Sequence, residues 1–119
     1  MIFAMVFSLL LNACEDYIKE DLRNYDRVGR WGGEEFLLIL PDTELKDAVT
    51  VAERLRSKTA AVQISLENEE TFSIHISLGT ACTTEQFQSL AKLIDAADQA
   101  LYQAKQSGRN RVCTFEASQ

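Results

Sequence analysis

Arg30-Trp31-Gly32-Gly33-Glu34-Glu35-Phe36 runs directly into Leu37-Leu38-Ile39-Leu40-Pro41, placing two glycines and two carboxylates at a tight turn between two stretches of strand character. Such a turn closes an antiparallel hairpin, because glycine reaches positive φ without steric cost. It is also a place to hold phosphates and a metal: the missing Cβ lets a ligand approach the backbone, and adjacent Glu side chains offer the hard oxygens that Mg²⁺ prefers. An ordinary hairpin needs only the glycines, so the neighbouring residues have to decide between the two readings.

Upstream, Leu10, Leu11, Cys14, Ile18 and Leu22 recur at helical spacing, with Glu15, Asp16, Lys19, Glu20 and Arg23 largely on the opposite face. This predicts an amphipathic helix ending near Arg23. Val28 to Trp31 and Phe36 to Leu40 flank the glycine turn as strands, and Pro41-Asp42-Thr43 supplies a stop and the next N-cap. Leu45, Ala48, Ala52 and Leu55 form the stripe of a second helix, and Glu67-Asn68-Glu69-Glu70 is a polar loop. Phe72, Ile74, Ile76 and Leu78 alternate with Ser73, His75, Ser77 and Gly79, which predicts one strand. Phe87, Leu90, Ile94, Ala97, Leu101 and Ala104 line a last helix, Gly108 stands where a C′ glycine would end it, and a strand follows through Val112 to Phe115.

Composition narrows the class. The 119 residues are 46% hydrophobic and 25% charged, enough for one globular core. A formal net charge of -6 argues against sequence-independent nucleic-acid binding, which needs a cationic footprint. Cys14, Cys82 and Cys113 are odd in number and lack C-x-x-C spacing, so neither a zinc site nor a disulfide framework is expected; a reducing cytoplasm fits. Met1 to Leu11 is apolar, but Asn12, Glu15 and Asp16 end the run well short of the ~20 residues of a membrane span. No Lys or Arg precedes Leu11-Asn12-Ala13-Cys14, as a secretory leader would require.

Two further motifs join the glycine turn. Arg23-Asn24-Tyr25-Asp26 lies a short step before it, and Ala97-Asp98-Gln99-Ala100-Leu101-Tyr102-Gln103-Ala104-Lys105-Gln106-Ser107-Gly108-Arg109-Asn110 lies far downstream. In this order and at this spacing the three resemble the GGDEF family of diguanylate cyclases, over about residues 8 to 115. The resemblance implies an α+β fold, a nucleotidyl-cyclase-like or ferredoxin-like antiparallel sheet packed by helices, here as one N-terminally truncated domain over residues 1–119. It would lack the family's first strand, which carries Asp-x-Asp-x-Phe-Lys-x-x-Asn-Asp with a metal-binding Asp, and the helix that follows. The Gly-Asp pair whose Asp reads guanine falls on Phe7-Ser8. The apolar Met1 to Phe7 segment is expected to fill or cover the gap, docking on the domain or mediating a dimer.

The resemblance also implies an activity: two GTP are condensed to cyclic di-GMP with release of pyrophosphate, across a homodimer in which each 3′-hydroxyl attacks the opposite α-phosphate. Glu34 would be the metal ligand, for Mg²⁺ or Mn²⁺, and Glu35 would support it; together they are the catalytic carboxylates. Gly32 and Gly33 would admit the nucleotide, and Lys105 with Arg109 would neutralise its triphosphate. Arg23 and Asp26 match the family's inhibitory Arg-x-x-Asp, where cyclic di-GMP binds, with Arg54 as the further arginine and Arg56 as its competitor. With the front end absent, the chain is expected to be weak or inactive as a cyclase; the alternative is a non-catalytic cyclic di-GMP-binding or signalling module, coupled to an upstream sensor domain or a partner protein. Each assignment has a plainer counterpart: a solvated hairpin tip for the glutamates, helix-end charges for Lys105 and Arg109, a surface pair for Arg23 and Asp26. His75 and Trp31 read as structural and packing residues, and Asp98 as a structural hydrogen-bonding group.

Overall fold

A computed structural model describes residues 3–8, 22–23, 26–32, 35–61, 63–65, 67–73, 75–82 and 89–115. In chain order its elements are β1 (Phe3–Ser8), β2 (Arg27–Gly32), β3 (Glu35–Leu40), α1 (Leu45–Ala61), β4 (Gln63–Ser65), β5 (Thr71–Ser73), β6 (Leu78–Cys82), α2 (Leu90–Gln106) and β7 (Val112–Thr114). Five strands form one sheet in the order β2-β3-β1-β6-β7, while β4 and β5 pair separately as a ribbon. All neighbours in the large sheet are antiparallel except β6 and β7, which run parallel because α2 carries the chain back between them. The expected first helix, near Leu10 to Arg23, falls mostly outside the described residues.

The place left open for a first strand is taken. Phe3–Ser8 lies at the centre of the sheet, Phe3 to Ser8 opposite Leu40 to Glu35 on one side and Phe3 to Phe7 opposite Cys82 to Leu78 on the other. The expectation that the apolar leading segment fills the gap is met at backbone level. The strand that fills it carries no carboxylate.

Alternation along β3 sends Phe36, Leu38 and Leu40 into one core with Ala48, Ala52 and Leu55 of α1, together with Ile76 and Leu78. Leu37 and Ile39 pack at a second core, formed by Ala81 and the α2 residues Leu93, Ile94, Ala96, Ala97 and Leu101. Each large apolar side chain removed from water here contributes about 2 kcal/mol. Leu45 and Leu90, expected in the helical stripes, are instead 49% and 57% exposed. Both are the first residues of their helices, and helical side chains lean toward the N-terminus, away from the turns that follow.

Two other expectations are corrected. The alternating run from Phe72 to Leu78 is not one strand: Thr71–Ser73 belongs to the small ribbon, and β6 begins only at Leu78. In β6, Leu78, Gly79, Thr80 and Ala81 are all buried, so a strand covered on both faces shows no period of two. Thr43 does not cap α1. Its hydroxyl donates to the Pro41 carbonyl at 2.8 Å and accepts from Arg23, while the carbonyl of Glu44 accepts the Ala48 amide of the first turn.

The C-terminus of α2 ends as expected. Ser107 is the C-cap, Gly108 follows with φ 121°, and the Arg109 amide reaches back to the Ala104 carbonyl at 3.0 Å, a Schellman-type closure. A Cβ at Gly108 would also approach Arg111 Nη2 at 2.7 Å. Gly108→Ala is expected to lower stability by about 1 kcal/mol, measurable as a shift of the urea midpoint without a change in slope.

Candidate functional site

Register places the motifs at two ends of the sheet. Gly32 of β2 pairs with Glu35 of β3, and Ser8 of β1 stands opposite Glu35 on the other side. Gly33 and Glu34, between Gly32 and Glu35 in sequence, lie outside the described residues. One residue inward, Arg30, Phe36, Phe7, Leu78 and Val112 form a single line across the five strands. Three strand spacings therefore separate the start of β3 from that of β7, about 14 Å. The Leu78 amide donates to the Arg111 carbonyl at 3.0 Å, so the turn after α2, with Arg109, stands at the same end of the sheet as the glycine hairpin.

Lys105 is half-exposed in the last turn of α2 and Arg109 is exposed just beyond it. Neither side chain has a carboxylate partner among the described residues. Two cations with no carboxylate partner among the described residues, at this end of the sheet, suit an anion with several oxygens. The carboxylate side is weaker. Glu35 is half-buried, its neighbour across β1 is Ser8, and no group of three or more His, Cys, Asp or Glu among the described residues is placed to hold a metal ion. Among the described residues, Glu35 stands without the further carboxylates that two Mg²⁺ between phosphates require.

At the opposite end, where Arg27 pairs with Ile39, Arg23 and Asp26 come together. The Asp26 side chain is 3% exposed and accepts from the Arg23 backbone amide at 2.9 Å, from Nε at 3.1 Å and from Nη2 at 2.9 Å. The Asp26 amide closes the turn by donating to the Arg23 carbonyl at 3.0 Å. Nη2 also donates to the Pro41 carbonyl at 3.2 Å and to Thr43 Oγ1, so the guanidinium ties the start of β2 to the turn that leads into α1. The Arg23 side chain nonetheless remains 40% exposed. It is a guanidinium held in one orientation by a buried carboxylate and still open to solvent, unlike a loose surface pair.

Arg54 is exposed on α1, nine residues beyond Leu45. The helical rise sets it about 14 Å along the axis. The structure joins Arg23 directly to Asp26, and Arg54 shares no hydrogen bond or ion pair with either. Arg56 is committed elsewhere: Nε donates to Glu53 Oε2 at 2.9 Å and Nη1 to Asn110 Oδ1 at 3.2 Å.

Among the structural assignments, His75 is solvent-exposed and outside any strand, whereas the alternation from Phe72 to Leu78 placed it in one. Asp98 is exposed and its side chain makes no hydrogen bond among the described residues, contrary to its expected structural role. The side chain of Trp31 lies outside the described ones. Cys82 and Cys113 are half-buried and not joined in a disulfide. Among the described residues no helix is long and apolar enough to cross a membrane. Sequence reasoning missed Thr43, which orients Arg23 across 20 residues, and Ser77, whose Oγ accepts the Asn110 amide at 3.2 Å. No local pattern marks either contact.

The motif geometry has counterparts in known proteins. The family model for "Diguanylate cyclase, GGDEF domain" matches residues 8–111. Diguanylate cyclase A of Treponema denticola is 36% identical over 104 residues, covering 87% of this chain and 28% of that protein. The active GGEEF domain of a diguanylate cyclase from Vibrio cholerae superposes with a TM-score of 0.82 at 25% identity, over 98% of this chain and 84% of that one. The GGDEF domain of DgcB from Caulobacter crescentus, solved in complex with cyclic di-GMP, has the same fold, with a TM-score of 0.83 at 24% identity over 98% of this chain and 78% of that one. The chain spans between 21% and 28% of the length of the curated relatives it matches. With its three motifs in order, their turns at opposite ends of one sheet and a family match over nearly its whole length, the chain belongs to the GGDEF family of diguanylate cyclase domains.

Proposed function

We propose that this chain is a diguanylate-cyclase-type domain that binds GTP at the hairpin end of the sheet and cyclic di-GMP at the Arg23–Asp26 end, and whose turnover of GTP is weak. In the family reaction two GTP, one on each half of a homodimer, give cyclic di-GMP and pyrophosphate. Here Gly32 and Gly33 admit the nucleotide against the backbone, Lys105 and Arg109 neutralise its triphosphate, and Glu34 and Glu35 are the remaining carboxylates. The domain works in the cytoplasm, under an upstream sensor domain or a partner protein.

Weak turnover is argued from β1. The strand beside Glu35 at the sheet centre is Phe3–Ser8, without an acid to share the load on a metal. Losing one preorganised electrostatic contact at a reacting centre costs ~3 kcal/mol, about a hundredfold in rate. Incubated with GTP and Mg²⁺ or Mn²⁺, the purified chain is expected to form cyclic di-GMP at close to background rate; rapid formation would overturn this part of the proposal.

The receptor role rests on one observation, the Arg23 guanidinium fixed by buried Asp26 with two-fifths of its surface open. Guanidinium forks suit a guanine Hoogsteen edge or a phosphate, and a carboxylate accepts from guanine N–H groups. Calorimetry with cyclic di-GMP tests it independently of catalysis.

A further inference from the structure

The turn after α2 has an uncommon backbone. Gly108, Arg109 and Asn110 have φ of 121°, 63° and 48° in succession. Residues with side chains rarely occupy this region, and they stay there only where their surroundings hold them.

Within the turn, Arg111 Nε donates to the Arg109 carbonyl at 3.1 Å, and two further restraints reach Asn110 from outside it. From the residue just before β6, Ser77 Oγ accepts the Asn110 amide at 3.2 Å. From α1, Arg56 Nη1 donates to Asn110 Oδ1 at 3.2 Å, while its Nε is fixed on Glu53 Oε2 at 2.9 Å. A planar fork can serve both partners from one orientation, which an ammonium cannot reproduce. The residue just before Asn110 is Arg109, anchored through its own amide to Ala104 and exposed in its side chain. Asn110 therefore fixes the direction in which Arg109 leaves the backbone, and Arg56 fixes Asn110.

We infer that Arg56 is a positioning residue for the anion-binding turn: acting through Asn110, it holds Arg109 in the positive-φ conformation from which the guanidinium, together with Lys105, meets the polyphosphate of a nucleotide. This rests on the reading of Lys105 and Arg109 as triphosphate contacts. It assigns to α1 a part at the hairpin end of the sheet as well as at the Thr43 end, and it separates Arg56 from Arg54, two residues away, which faces solvent.

Arg56→Ala, Asn110→Ala and the double variant, compared with the parent chain, decide it by two measurements. Amide hydrogen exchange without nucleotide reads the turn itself. Exchange at Arg109 and Asn110 is expected to quicken about tenfold in Arg56→Ala, as for a lost hydrogen bond, with Ala97 to Leu101 of α2 unchanged. Calorimetry with GTP and with GMP reads the consequence. Each single variant is expected to lose about tenfold in GTP affinity, the double no more than either single, with GMP binding unmoved. Unchanged exchange at Asn110 in Arg56→Ala overturns the inference whatever GTP does. Equal losses for GTP and GMP, or additive losses in the double variant, also overturn it, since they mark general loosening or independent action. A parent chain that binds no GTP overturns the triphosphate reading instead, and the exchange measurement still decides whether Arg56 holds the turn.

Discussion

Gly79→Ala is expected to destabilise the domain by more than about 3 kcal/mol, and in practice to leave little folded protein. Gly79 is buried in β6, paired with Val6 on one side and Cys113 on the other. A Cβ there would run into the backbone of α2, against Leu101 N and Ala97 O, with Leu101 Cα at 2.7 Å. Overpacking against flexible side chains costs ~1 to 3 kcal/mol because they can turn aside. Helix backbone cannot. Relief needs α2 to lift from the sheet as a unit, which would open the second core and carry Lys105 and the Arg109 turn away from the hairpin. Gly29→Ala is the control: nothing among the described residues lies within 4 Å of its added Cβ, so the expected change is within about 1 kcal/mol and toward stability. Urea denaturation of both variants checks the pair. Similar midpoints would mean that α2 does not seat on Gly79.

What was readable in the chain was whatever is local. The hairpin, the α1 stripe at Ala48, Ala52 and Leu55, and the stop at Gly108 each depend on residues within a turn or two of one another, and each stands where the pattern placed it. The central strands were harder for a physical reason. Leu78 to Ala81 is buried throughout and Phe3 to Phe7 is an unbroken apolar run in sequence, so neither shows the alternation by which a half-buried strand is recognised. The site divides the same way. Arg23 and Asp26 are three residues apart and their motif announced them. Thr43 reaches Arg23 across 20 positions and Arg56 reaches Asn110 across 54, pairings that only the folded sheet creates. Motif spacing chose Arg54 with Arg56 as its competitor; in the fold Arg54 faces solvent and Arg56 is bound to Glu53 and Asn110.

Arg23→Ala is expected to weaken cyclic di-GMP binding by ~2 to 5 kcal/mol, because truncating one member of a charged contact leaves its partners unpaired. Two costs are involved and can be separated. Within the free protein, Asp26 would keep its backbone donor but lose Nε and Nη2, leaving a nearly buried carboxylate short of partners, worth about 1 to 3 kcal/mol of fold stability. Urea denaturation measures that part. In the complex, the ligand loses the fork itself, and calorimetry under conditions where both proteins are fully folded measures that part alone. Arg23→Lys sharpens the distinction, since it keeps the charge without the planar geometry and is expected to recover little of the affinity. Arg54→Ala leaves the Arg23–Asp26 pair intact and so bears only on ligand reach: a loss there shows that the ligand extends along α1, and no loss confines it to the Arg23 end. Cyclic di-GMP affinity indifferent to Arg23→Ala would make the Arg23–Asp26–Thr43 cluster a clip between β2 and α1 and nothing more.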